Sequence, residues 1–303
     1  MKLFRTSLLA AAAIAVAVPA AVSAHRMWMV PSATIVSGDD NWVTVDAAVS
    51  NDLFYPDHRP LSAEPVVTAP DGSTLAVENR AVGAVRATFD VHLKQQGTYK
   101  VAVVGDSVFG SYALNGQTVQ IPRGTTADKF TLPAGATDVR VSQNSMRNEL
   151  YLTAGAPTNT VFKTVGKGIE LVPVTHPNDL IAGEPATFQF LLDGKPAANL
   201  PVTIVPGGKR YREALGQIDL KTDAQGNVTV KWPAPGMYWL NVAMGGSPEG
   251  GMGPRPEGGR GPGGAGGPGA QAEGGPRPEG APRPAGPPQR RASYVTTLEV
   301  LGA

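Results

Sequence analysis

Short segments in which apolar and polar residues alternate recur along the chain, and this pattern constrains the fold most strongly. Examples are "WVTVDAAV" (Trp42 to Val49), "RATFDVHL" (Arg86 to Leu93) and "MYWLNVAM" (Met237 to Met244). Successive side chains of a strand point to opposite faces, so a period of two is typical of strands with one buried face. Turns such as "APDGST" at 69–74 separate these segments, and no long helical periodicity occurs. The pattern predicts an all-β protein made of antiparallel β-sandwich modules.

Two modules are predicted, with a boundary in "GAPTNTVFKTVGKG" (Gly155 to Gly168). The first would be an N-terminal β-sandwich at 25–160, which includes a region of irregular pattern at 128–152. The second, at 166–303, has the order of strands and turns of an immunoglobulin-like or transthyretin-like module. Modules of this kind usually carry and position something and seldom catalyse.

A segment rich in glycine and proline interrupts the last hairpin of the second module. In 245–291, 28 of 47 residues are Gly or Pro, and "PRPEG" occurs twice. Such a composition cannot bury an apolar face, so we predict a disordered insertion. It is either a basic tether or spacer in the cell envelope or a tolerated low-complexity expansion.

The first 24 residues have the pattern of a cleaved signal peptide. Lys2 and Arg5 precede an apolar run that is too short to span a membrane, and Val22 and Ala24 place small residues before a cut at Ala24/His25. We therefore expect an exported, periplasmic protein without membrane insertion after cleavage. Removal of the leader leaves 24 basic and 25 acidic residues, a balance that offers no electrostatic reason to bind nucleic acid. The chain has no cysteine, which excludes disulfides and thiolate ligands.

Cleavage would make His25 the first residue of the mature chain and so change its chemistry. Its free amine and its imidazole could chelate one metal ion, and a second histidine would complete an arrangement called a histidine brace. Nitrogen ligands suit Cu(II), Ni(II) and Zn(II), whereas thioethers such as those of Met27 and Met29 favour Cu(I). The alternatives are that His25 merely follows the cut and that the two methionines are core residues.

Three further histidines occur in the chain. His58 lies in the loop "FYPDHRPL", where Asp57 could orient a ligating imidazole or simply pair with it at the surface. His176 lies in the loop "VPVTHPNDL" and is either a ligand or part of a turn at a strand end. His92 is expected on the solvated face of a strand, opposite Phe89 and Val91. We take His25, His58 and His176 as the candidate metal ligands.

Motifs of enzymes are missing from the sequence. It contains no H-E-x-x-H, no G-x-S-x-G and no phosphate-binding G-x-x-x-x-G-K-[ST] pattern, and G-x-G-x-x-G occurs only in the Gly/Pro segment rather than between a strand and a helix. We therefore expect a protein that is not an enzyme.

The order of several segments resembles a known family. "AHRMWMVPSATIV", "FYPDHRPL", "TVGKGIELVPVTHPNDLIAGEPATFQFLLDGKPAANLPVTIVPGGKRYR" and "TDAQGNVTVKWPAPGMYWLNV" are similar to the exported domain-of-unknown-function family called NikM-like. Its members are labelled the periplasmic component of a cobalt/nickel transport system. The resemblance implies a periplasmic β-protein associated with metal uptake, with His25, His58 and His176 in matching motifs. The partners would then be a metal ion and an envelope transporter or receptor component.

Two functions from different classes follow as hypotheses. The first is a periplasmic binding protein for nickel, cobalt or copper. The second is a structural or interaction protein of the envelope that binds no metal and uses the Gly/Pro segment as a tether. A copper enzyme with a histidine brace is the least favoured reading, because no other catalytic group is visible.

Overall fold

The computed structural model describes residues 25–38, 40–245 and 289–303. The predicted signal peptide and residues 246–288 of the Gly/Pro segment lie outside the described residues. Within these ranges the chain forms strands and three short 3₁₀ helices, at Ala127–Lys129, Thr160–Phe162 and Lys209–Tyr211. No helix in the described part of the chain is long and apolar enough to cross a membrane.

The strands are numbered in chain order. The first module contains β1 (Arg26–Pro31), β2 (Ile35–Val36), β3 (Asn41–Ser50), β4 (Arg59–Pro60), β5 (Val66–Thr68), β6 (Thr74–Leu75), β7 (Glu78–Val82), β8 (Ala87–Leu93), β9 (Gly97–Leu114), β10 (Gln117–Gln120) and β11 (Thr137–Ala154). The second contains β12 (Ile169–Pro173), β13 (Pro185–Leu192), β14 (Lys195–Pro196), β15 (Pro201–Pro206), β16 (Ile218–Lys221), β17 (Asn227–Lys231), β18 (Gly236–Met244) and β19 (Gln289–Val300).

The alternation seen in the sequence sets the faces of the strands as predicted. In β8, Phe89, Val91 and Leu93 are buried while Asp90 and His92 point to the other side. These apolar side chains join those of β3, β9 and β11 in the core of the first module. A second core, which includes Phe188, Trp232 and Tyr294, fills the second module. A smaller cluster, which includes Trp28, Leu53 and Trp239, lies between the two. The all-β fold class is therefore confirmed.

A single sheet runs through both modules, an arrangement that the sequence did not indicate. Its order is β16-β15-β18-β19-β11-β9-β5-β6, and the step from one module to the other is the pairing of β11 with β19. That pair is parallel, with Ser142 opposite Gln289 and Glu149 opposite Thr296. Smaller sheets cover its two halves: β1-β3-β8-β7, with β4 beside β3, in the first module, and β12-β13-β14, with β17 beside β13, in the second. Each half is thus a sandwich, but the two share one layer.

Two segments differ from the sequence prediction for the same reason. The region of irregular pattern at 128–152 contains most of the 18-residue strand β11. The last strand begins at Gln289, inside the predicted disordered insertion. Because β11 is paired with β9 on one side and β19 on the other, main-chain hydrogen bonding holds polar residues in the sheet that periodicity does not mark as a strand.

Buried polar side chains connect the two modules beneath this joint. Glu149 of β11 is 3% exposed, and its carboxylate lies 3.1 Å from Arg147 Nη1 and accepts a hydrogen bond from the Tyr151 hydroxyl. The Tyr151 hydroxyl also lies 3.0 Å from that of Tyr294 in β19. Burial, together with the negative charge of Glu149, raises the pKa of both tyrosines well above the usual range. Both hydroxyls therefore stay protonated and available as donors.

Candidate metal centre

Two histidines that are 33 positions apart in sequence meet at one end of β3. His25 directly precedes β1, in which Arg26 pairs with Ser50, and His58 directly precedes β4, in which Arg59 pairs with Val49. Since β1 and β4 flank β3 on opposite sides, both histidines arrive at the same end of that strand. Their ring centroids are 3.9 Å apart, with an angle of 50° between the ring planes, and both residues are exposed.

Asp57 fixes the orientation of the His58 ring. Its Oδ1 accepts hydrogen bonds from His58 Nδ1 at 2.7 Å and from the main-chain N–H of Asn51 at 3.1 Å. Partial burial opposes the negative charge, but these hydrogen bonds outweigh it, so the pKa of Asp57 lies below its usual value. The ionised carboxylate can only accept, and the proton of a neutral His58 ring is therefore on Nδ1. The Nε2 of His58 is left with its lone pair available.

The loop that carries His58 rests on buried aromatic and aliphatic side chains. Leu53 is 2% exposed, and the ring of Phe54 meets that of Trp28 edge-on at 5.6 Å. Trp28 Nε1 donates to Ser50 Oγ at 2.7 Å, and Ser50 Oγ donates to the carbonyl of Asp52 at 2.6 Å. The position of the loop relative to β1 is thus set by packing as well as by hydrogen bonds.

The second module supports both histidine-bearing segments. Trp239 of β18 donates from Nε1 to the carbonyl of Met27 at 2.9 Å, and the guanidinium of Arg26 lies 5.5 Å from the centroid of the Trp239 ring. Beneath the His58 loop, Gly207 lies so close to Phe54 that a Cβ there would be 2.8 Å from its ring. No sequence signal pointed to Trp239 or Gly207, because they lie far along the chain from the segments that they contact.

His176 lies in a different environment, where its hydrogen-bonding partners are Thr98, Thr158 and Asn178 and not the other two candidates. Its Nδ1 accepts a hydrogen bond from the main-chain N–H of Asn178 at 3.1 Å. Its Nε2 lies 3.1 Å from Thr98 Oγ1 and 3.3 Å from the carbonyl of Thr158. With Nδ1 as acceptor, the neutral ring carries its proton on Nε2 and donates from it. Both ring nitrogens are therefore engaged within the protein.

Burial of this ring lowers the pKa of His176 below its usual value of 6.5, in spite of the opposing effects of the Thr158 carbonyl and of Asp179. The hydrogen bonds continue from Thr98 Oγ1 to Thr153 Oγ1, from Thr153 to the Asn178 side chain, and from that amide to the carbonyl of Tyr151. This network joins β9 and β11 to the loop that opens the second module. It favours the turn-forming role for His176 over the role of ligand.

The fourth histidine and the two methionines near His25 lie outside the pair. The ring of His92 stacks on that of Trp42, with 3.9 Å between centroids, and its Nε2 is bonded to Asp40. Met29 is fully buried in the core of the first module, and Met27 packs against the same core. The described part of the chain contains no group of three or more His, Cys, Asp or Glu side chains that could hold a metal ion. A metal at His25 and His58 would thus need a donor that is not a third side chain of this kind.

Residues 22–246 match the family described as Domain of unknown function (DUF4198). The chain belongs to this family. Its description names no metal and no transport system, so the predicted link to nickel and cobalt uptake is part of the proposal below. No curated protein matches this DUF4198 chain in sequence.

Three solved structures share distant similarity with this DUF4198 chain. A DUF4785 family protein from Legionella pneumophila is 7% identical, with 71% of this chain and 50% of that chain covered and a TM-score of 0.22. The D0-D1 domain of intimin is 14% identical, with 71% of this chain and 88% of that chain covered and a TM-score of 0.19. The two tandem V-type regions of a v-region-containing chitin binding protein are 11% identical, with 72% of this chain and 93% of that chain covered and a TM-score of 0.18. The chain thus spans half the length of the Legionella protein. At such TM-scores the sandwich architecture rests on the chain's own strand pairings.

Proposed function

We propose that this protein is a periplasmic binding protein that captures a divalent transition metal, nickel, cobalt or copper, and assists its uptake. The observation that carries the proposal is the contact between the rings of His25 and His58 at 3.9 Å. Imidazole nitrogen is a preferred ligand of these metals. Both imidazoles are exposed, and packing fixes the segments in which His25 and His58 lie. The two rings therefore form a partly preorganised pair of ligands.

The third donor would be the amino group of His25, freed by cleavage after Ala24. It is a main-chain nitrogen donor rather than a side chain, and three bonds separate it from the His25 ring. A metal held by both rings and the amine would lie about 2.0–2.1 Å from each ring nitrogen. Both rings are exposed, so rotation about their side-chain torsions would be the movement that turns the ring nitrogens toward a shared ion.

Asp57 would act on the metal through His58. By accepting the proton of Nδ1 it presents Nε2 to the ion and increases the basicity of the ring, as carboxylate partners of ligating histidines do. Metal capture would weaken as the pH falls, because the amine and both imidazoles bind only in their neutral forms. Release to an envelope transporter or receptor component would complete the role in uptake.

The decisive experiment compares two forms of the mature protein. One begins at His25, and the other carries one additional alanine before it, so that the amine is moved away while both imidazoles stay. Calorimetric titration with Cu(II) and Ni(II) should show one site in the first form and a loss of about 100-fold or more in affinity in the second. Equal affinity in both forms would contradict the amino-terminal site. Absence of stoichiometric binding in the first form would favour the alternative, an envelope interaction protein without metal.

A further inference from the structure

A second candidate site lies in a groove where the two modules meet. It has a volume of about 630 Å³ and is open to solvent. Its walls include Phe54 and Tyr55 from the first module, and Pro206, Arg212, Pro235 and Tyr238 from the second. Small-molecule sites occur preferentially at such junctions, are mostly apolar, and have volumes of about 300–1,000 Å³.

Arg212 is the cationic residue of the groove wall, and Lys209 and Arg210 precede it in the same short basic run. None of the three forms an ion pair within the described residues. Lys209 Nζ donates to the main-chain carbonyls of Arg212 and Glu213, and the guanidinium of Arg210 lies 4.1 Å from the centroid of the Tyr55 ring. Asp52 and Glu213 are the nearby carboxylates, and neither is paired with these cations. The partners of the basic run are thus neutral carbonyls and an aromatic face, and no direct ion pair within the described residues neutralises it.

Arg212 sets the kind of anion that fits. Its Nε donates to the carbonyl of Ala214, its Nη1 to that of Gly207, and its Nη2 to those of Pro206 and Leu215. A guanidinium has five N–H groups, so four are used and one on Nη1 remains. Four carbonyls hold the cation rigidly at the wall without neutralising it. A single remaining donor suits a monoanion, whereas bidentate binding of a phosphate needs two parallel N–H groups.

We propose that this groove binds a small organic carboxylate with an apolar body. The carboxylate would accept from Nη1 of Arg212 within the positive field of Lys209 and Arg210, and the apolar part would lie against Phe54, Tyr238 and the prolines. No metal takes part, so this site does not depend on the function proposed for His25 and His58. The two sites are connected through the loop at 51–58, which carries Phe54 and Tyr55 of the groove and also His58, and through β1, which follows His25 and contributes Val30 to the groove.

The test uses the full mature chain without metal and three matched probes: phenylacetate, its uncharged analogue phenylacetamide, and cationic phenethylamine. Titrations followed by protein NMR should show shifts at the groove for phenylacetate, with affinity at least about tenfold higher than for the amide, because a carboxylate accepts from Arg212 with a full negative charge whereas the amide carbonyl is neutral. Phenethylamine should not bind there. Equal affinity for acid and amide would overturn the proposal.

Variants locate the site. Ala234 is exposed at the groove and has no side-chain hydrogen bond of its own, so Ala234→Trp should fill the groove and abolish phenylacetate binding without disturbing the fold. Arg212→Gln should weaken binding about tenfold. Lys195→Gln removes an exposed charge in a β-hairpin elsewhere in the second module and should change nothing. Because loss of Arg212 could unfold its loop, Ala234→Trp decides: unchanged phenylacetate binding in that variant would refute the groove as the site.

Discussion

The pair His25–His58 and the single residue His176 show two different roles of the histidine side chain in one protein. In the pair, both rings are exposed and Asp57 holds one nitrogen of His58, which leaves the other available. In His176, burial and three hydrogen-bonding partners engage both nitrogens. A histidine near the surface with one nitrogen bonded can bind a ligand, whereas a histidine bonded at both nitrogens holds two segments of the chain together.

The largest expected effect comes from removing one ring of the pair. His58→Ala in the form that begins at His25 should lower the affinity for Cu(II) or Ni(II) by more than about 100-fold, since loss of a ligand should exceed the cost of losing a partner of a ligand. Calorimetric titration measures it. His92→Ala is the matched control, because that ring is bonded to Asp40 away from the pair, and its metal affinity should stay unchanged. If His58→Ala binds the metal as tightly as the parent protein, His58 is not a ligand and the contrast with His176 fails.

The opposite pattern is expected for His176. His176→Ala should leave metal affinity unchanged but reduce the free energy of unfolding by about 1–3 kcal/mol, because the N–H of Asn178 and the carbonyl of Thr158 lose their hydrogen-bonding partner in a partly buried position. Urea denaturation at pH 7.5 measures this. A fall in the metal affinity of His176→Ala would show that His176 and the His25–His58 pair are not independent.

The pH dependence of stability sharpens the same contrast. The pKa of His176 is lowered in the folded protein, so the unfolded chain takes up this proton first as the pH falls. The contribution of the neutral ring is therefore complete above its usual value of 6.5 and is lost progressively as the pH falls from there through the folded pKa. In His176→Gln, which keeps an acceptor for Asn178, this part of the pH dependence should disappear. Identical pH profiles for the two proteins would contradict the assignment of a neutral ring.

A smaller effect on metal affinity is expected from a change at Asp57, the carboxylate that orients His58. Asp57→Asn keeps the size of the side chain and can still accept from His58, but it removes the negative charge. Metal affinity should fall about tenfold, the lower end of the range for partners of ligating histidines. Asp71→Asn, a change at a carboxylate in a turn remote from the pair, is the control and should have no effect. If both variants bind alike, Asp57 only anchors its loop through Asn51.

The sequence predicted part of the candidate site and could not predict the rest. It marked three candidate ligands, His25 at the predicted mature N-terminus and His58 and His176 in loops. The structure separates them, since His25 and His58 precede strands that pair with the same two residues of β3, Ala48 and Val49, from opposite sides. Strand pairing between distant segments depends on the register of the whole sheet, which local patterns do not record.

The division between sequence and tertiary structure follows the range of the forces involved. Alternation of side chains and turn residues are local, so by itself the sequence determined the all-β class and the buried faces of strands such as β8. The shared sheet, the parallel pairing of β11 with β19, the contact of Trp239 with β1 and the union of His25 with His58 depend on residues far apart in the chain. Only the pairing of strands and the packing of side chains in the tertiary structure decided these, because the hydrogen bonds and buried surfaces that specify them form between segments that no short window of sequence contains.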